Sequence, residues 1–87
     1  MSNIETAKDA IREYFAERKA TGIRHGSPGL GAPGDLLHEG PILTMLLNIH
    51  FGLEMLAGPA AEALVEDQFL TRCEGGYCLT AHGASRL

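Results

Sequence analysis

A chain of 87 residues has room for one domain, spanning 1–87, and one hydrophobic core. Burying only about 60–65% of its unfolded surface would leave its stability modest. Its 45% hydrophobic content excludes a disordered tail, and the absence of tryptophan predicts an aliphatic core of Leu, Ile, Val and Ala. The net charge of −4 argues against non-specific attraction to a polyanion, and no lysine or arginine lies between Arg24 and Arg72.

The N-terminal stretch carries Glu5, Lys8 and Asp9 where a signal peptide needs an apolar run, so none is expected. The most apolar segment, Pro41 to Ala57, holds Asn48, His50 and Glu54, which fits a buried core helix better than a membrane span. The expected location is therefore the cytoplasm, where Cys73 and Cys78 stay reduced.

In chain order, the first helix is predicted over Ile4 to Ala20, capped by Ser2 or Asn3 and ended by Gly22. Ile4, Ala7, Ile11, Tyr14, Phe15 and Arg18 form its apolar stripe, and Lys8, Arg12, Glu13, Glu17 and Lys19 its solvated side. Residues 22–35 hold five glycines and two prolines and read as a loop, mobile in preference to functional. A second helix is predicted from Gly40-Pro41, with Ile42, Leu46, Ile49, Leu53 and Leu56 as its stripe and a weak point at Gly52. Pro59 repeats the start signal for a third helix to Gln68, with Ala61, Leu64, Val65 and Phe69 inward and Glu62, Glu66 and Asp67 outward. Leu70 to Cys73 and Tyr77 to Thr80 read as two strands around Glu74-Gly75-Gly76, and Thr80 caps a last turn from His82 to Leu87. The expected fold class is mostly α with a C-terminal β-hairpin, an α+β domain.

The run from Ala63 to Arg72, followed by Gly76-Tyr77-Cys78-Leu79-Thr80-Ala81-His82-Gly83, resembles the end of a third helix running into the wing of a winged-helix domain, within the helix-turn-helix superfamily. The apolar pair Phe69-Leu70 would open the wing and the Tyr-x-Leu-Thr-x-x-Gly tail, Tyr77 to Gly83, would close it. The likeness covers about a quarter of the chain and implies a three-helix winged-helix-like fold more than a function. In DNA-binding members it would place the third helix in the major groove. Here that helix offers Glu62, Glu66 and Asp67, and neither it nor the second helix has a lysine or arginine to meet phosphate or guanine.

Other chemistry is sparse. If Gly75-Gly76 is the turn, Cys73 lies opposite Cys78 and a disulfide is geometrically allowed; these two are redox candidates, although two reduced strand residues are the favoured reading. Leu70, Tyr77 and Leu79 then share one face, and Thr71, Cys73, Cys78 and Thr80 the other. His50 and Glu54 share a helix face near His38-Glu39, but they fall short of the three or four converging ligands a metal needs. Ser27 and Ser85 have no indicated base, the Gly-rich loop lacks the Lys-Ser/Thr of a phosphate loop, and neither an enzyme nor a cofactor is expected.

The leading expectation is a non-enzymatic protein–protein interaction module, self-associating or part of an assembly. Glu62, Glu66 and Asp67 would supply acidic contacts, and Met45, Phe51 and Met55 apolar ones. The alternative is a DNA-binding transcriptional regulator that reaches phosphates with the first helix and the wing through Lys8, Arg12, Lys19, Arg24 and Arg72.

Overall fold

The computed structural model describes residues 3–38 and 53–87. In chain order these are α1 (Asn3–His25), β1 (Leu36–His38), a 3-10 turn (Leu53–Leu56) running into α2 (Ala57–Glu66), β2 (Leu70–Cys73), β3 (Gly76–Leu79) and α3 (Ala81–Ser85). The strands form one antiparallel sheet in the order β1-β3-β2. The expected mixture of helices and a C-terminal hairpin is present. Helix α2 is the element anticipated as the third helix. The expected second helix, with Met45 and Phe51, lies outside the described residues as far as residue 52, and its last residues, Leu53–Leu56, form the 3-10 turn instead.

Helix α1 buries Ala7, Ala10, Ile11 and Phe15, the spacing that its stripe requires, with Ile4 and Tyr14 packed partly against the core. It runs past Gly22. A Cβ on Gly22 would meet the Ser27 carbonyl at 2.5 Å, so this glycine serves a close approach and not a stop. The stop is Gly26, left-handed at φ 69°, after which the Ser27 N–H bonds back to the Gly22 carbonyl at 2.8 Å. That six-to-one closure is the Schellman ending, which glycine suits because it has no Cβ to clash.

The segment from Gly26 to Asp35 is tied down, against the expectation of a mobile loop. Leu30 and Asp35 close turns onto Ser27 and Ala32. The Gly34 N–H reaches the Leu79 carbonyl at 2.7 Å, and the Leu79 N–H reaches the Asp35 carbonyl at 2.8 Å. These last two bonds lead into β1, which pairs with β3 in the register Leu36↔Cys78, Leu37↔Tyr77, His38↔Gly76. Three residues, Leu-Leu-His, are too few to display alternation, so this strand had no signal of its own.

Helix α2 begins two residues ahead of Pro59, which sits in the first turn where its missing N–H leaves nothing unmade. It buries Ala57, Ala60, Ala61 and Leu64, with Val65 partly buried, and it ends in a second Schellman closure. Gln68 takes the left-handed position at φ 65°. The Phe69 N–H bonds to the Leu64 carbonyl at 2.9 Å and the Gln68 N–H to the Val65 carbonyl at 3.0 Å. The turn delivers Phe69 onto Phe15, ring centroids 6.2 Å apart, so the centre of the core is aromatic as well as aliphatic.

The hairpin register is Leu70↔Leu79, Thr71↔Cys78, Arg72↔Tyr77 and Cys73↔Gly76. The two-residue turn is therefore Glu74-Gly75, not Gly75-Gly76, and Cys73 stands opposite Gly76. The pairing moves by an even number of residues, so every side chain keeps its expected face. Leu70, Tyr77 and Leu79 are buried. The Tyr-x-Leu-Thr-x-x-Gly tail has a physical account residue by residue. The Thr80 hydroxyl caps α3 by accepting the Gly83 N–H at 2.9 Å, while the Thr80 N–H donates to the Phe69 carbonyl at 3.1 Å. A Cβ on Gly83 would meet that same carbonyl at 2.3 Å, which is why a glycine stands there.

Candidate interaction face

Met55, Pro59, Glu62 and Glu66 recur at spacings of three and four along the 3-10 turn and α2, opposite the buried alanines and Leu64. Three of the four, Met55, Pro59 and Glu66, are exposed, and Glu62 is half-buried. Met55 is 83% exposed, against 75% for Ile23 near the end of α1, the other large apolar side chain standing in solvent among the described residues. Glu66 is exposed and has no ion pair among the described residues.

Glu62 and Asp67 are placed differently from the free acidic patch that the sequence suggested. The Arg72 guanidinium grips both Glu62 oxygens, through Nε at 3.0 Å and through Nη2, and the Tyr77 hydroxyl donates to Glu62 at 2.8 Å. This cluster staples α2 to the hairpin. Asp67, at the end of α2, accepts the Lys8 ammonium at 2.8 Å and lies 3.8 Å from Arg12. The Lys8 hydrogen bond holds the Asp67 carboxyl below its ordinary range, and Asp67 in return raises Lys8. Lys8, expected on the solvated side, is 9% exposed.

The cations expected to reach phosphate are largely engaged within the molecule. Lys8 and Arg12 pair with Glu5, Asp9 and Asp67, and Arg72 with Glu62. The Lys19 ammonium approaches the Leu87 carbonyl at 3.4 Å, and Arg24 donates to the Thr21 hydroxyl at 3.3 Å, which leaves these two of the five without a side-chain carboxylate among the described residues.

Sequence reasoning missed Arg18 and Asp35. Arg18 donates twice to Asp35, at 2.8 and 2.7 Å, and the Asp35 carboxylate, 5% exposed, also accepts the Gly31 N–H at 2.9 Å. Burial alone would push this carboxyl up, but the hydrogen bonds from Arg18 and Gly31 outweigh it and hold Asp35 below its ordinary value. The available signal was an arginine at an apolar-stripe position, which called for a buried acid somewhere in the chain. The pair anchors the 26–35 segment and serves the fold.

Cys73 and Cys78 are joined by a disulfide, Cα atoms 6.1 Å apart, where two reduced residues were expected. With Cys73 opposite Gly76, the bond runs diagonally across the ladder. His50 and Glu39 lie outside the described residues, and His38 turns its ring to the Gly75 carbonyl at 3.2 Å. Among the described residues no three His, Cys, Asp or Glu side chains converge to hold a metal, and no helix is long and apolar enough to cross a membrane. Comparison with known protein families, curated proteins and solved structures gives no significant match.

Proposed function

We propose that this chain is a non-enzymatic protein-interaction module of winged-helix-like architecture, working through the outer face of α2. The observation that carries the reading is Met55, 83% exposed on a face whose neighbouring carboxylate Glu62 is already neutralised by Arg72. A face with an exposed thioether, a proline and an acid that has no ion pair among the described residues suits another protein surface with an apolar socket and a nearby cation. It is ill suited to a phosphate backbone, which demands several free cations on one side of the molecule. The direct passage of α2 into Phe69-Leu70 and the hairpin, closed by the Thr80–Gly83 cap, supports the winged-helix likeness of the architecture.

Self-association is the simplest form of this function, because the same chain supplies both the apolar and the charged groups. Sedimentation of the purified chain over a concentration series, alone and with short duplex DNA at low salt, tests it. We expect reversible dimerisation that ignores DNA and that M55K weakens about tenfold or more, the loss of about 1.4 kcal/mol at a buried contact. A strictly monomeric chain at all concentrations would overturn self-association. A DNA complex that dissolves as salt rises would overturn the module itself in favour of a regulator that contacts DNA through Lys19 and Arg24.

A further inference from the structure

We propose that the Cys73–Cys78 bond is a reversible thiol–disulfide switch that sets the conformation of the hairpin tip, made and broken by small thiols of the glutathione class. The first ground is position. The register places His38, Gly76 and Cys73 side by side across the three strands, and Leu36, Cys78 and Thr71 beside them, all on the sheet face that points away from the core. His38 and Thr71 are exposed and both cysteines are half-buried on that outward face, the side from which an attacking thiolate would come.

The second ground is that the fold does not depend on the bond. Leu37, Leu70, Tyr77 and Leu79 fasten the same three strands to the core from the opposite face, and all four are buried. The two cysteines are only five residues apart, so their bond closes a short loop and restricts the unfolded chain less than a long-range bond would. A bond on the outward face, with the apolar fastening of the strands on the other, can change state without unfolding the molecule.

The third ground is the tip. Glu74 has negative φ and Gly75 has φ 89°, the signs of a type II turn. In a two-residue hairpin that hand opposes the natural twist of the strands, which the primed turns match. The tip is held in this shape by two ties: the disulfide, and the His38 Nδ1–H that donates to the Gly75 carbonyl. Opening the bond removes the covalent tie and leaves the imidazole contact and the last ladder pairs at Gly76, so the tip relaxes away from His38, at the end of β1.

The chemistry is two-electron exchange. A thiolate attacks Sγ of one cysteine, the S–S bond breaks, and the other cysteine leaves as a thiolate that takes up a proton. A second small thiol displaces the mixed disulfide, so two small thiols become one small disulfide while Cys73 and Cys78 gain two electrons and two protons. Oxidation runs the same steps backwards.

The test equilibrates the full chain in glutathione buffers graded from oxidised to reduced. The thiols are then trapped by alkylation and counted by intact mass, and amide exchange is followed on the two end states. We expect a complete passage between zero and two free thiols with α1 and α2 equally protected throughout. Exchange at residues 74–76 and His38 should quicken about tenfold or more on reduction. The double variant C73S/C78S should fold and reproduce the reduced pattern. A bond that stays closed in every buffer, thiols that stay free in every buffer, an unchanged tip, or collapse of α1 protection in either the reduced chain or the double variant would each overturn the proposal.

Discussion

Arg18 occupies a position where the α1 repeat asks for an apolar side chain, and Asp35 comes from a stretch whose composition suggested solvent. Each is explained by the other. The guanidinium stem crosses the apolar side of the helix and its planar head meets the carboxylate with two parallel bonds, which a lysine could not reproduce. Because Asp35 is buried and Arg18 only partly so, removal of the acid strands one charge and orphans the Gly31 N–H. D35A should cost about 2–4 kcal/mol, read as a lower urea midpoint at unchanged slope. R18K should lose less than D35A but still lower the urea midpoint, since one of the two parallel bonds is missing while Asp35 keeps a cation and the Gly31 N–H.

At the scale of elements, the two helix endings form a natural comparison. Both α1 and α2 finish in a left-handed residue followed by a six-to-one bond, yet α1 places Gly26 there and α2 places Gln68. A glutamine at φ 65° carries a Cβ that the conformation does not welcome. Q68G should therefore stabilise the protein by about 0.5–1 kcal/mol, with the change appearing in the denaturation midpoint. The same comparison explains what the sequence revealed. Gly22 read as the stop and Gly26 as part of the loop, and the approach of Ser27 to Gly22 marks the first as the packed glycine and leaves the second to terminate the helix. The hairpin was legible because Leu70, Tyr77 and Leu79 alternate, and its faces survive any even shift in register. Its turn was not legible, since adjacent glycines leave two ways to close the same ladder. Strand β1 was hidden because it exists only through pairing with residues about forty positions away. Of the candidate site, the exposure of Met55 could be anticipated. The pairing of Glu62 and Asp67 could not, because Arg72 and Lys8 come from other elements.

For the whole molecule, the charges that matter are shared between elements, and they set a pH window. Asp35 and Asp67 both titrate below their ordinary 3.8 in the folded protein. The unfolded chain therefore takes up their protons first as pH falls; their contribution is complete above about pH 5 and lost on descent through the folded values. Lys8 works in the opposite sense. Its pKa lies above the ordinary 10.5, so its contribution is complete below that pH and lost as pH rises through the folded value. Urea midpoints should therefore be level from about pH 5 to 9 and fall on either side. D67N should flatten part of the acid limb and part of the alkaline limb together, because one ion pair feeds both.

The Gly75 carbonyl and the His38 imidazole meet across 37 residues of chain, and the rest of β1 is separated from its neighbour by a similar distance. The β2–β3 hairpin closes on itself through a two-residue turn, whereas β1 must arrive from far away, at a larger entropic cost of loop closure. The middle strand of the sheet therefore begins life as an edge. Until β1 docks, and whenever it lifts off, one side of β3 offers unpaired N–H and C=O groups to any extended segment that comes near, including the β1 of another copy. The short strand that completes this sheet is thus also its guard, and the Arg18–Asp35 clamp fastens the chain just ahead of it.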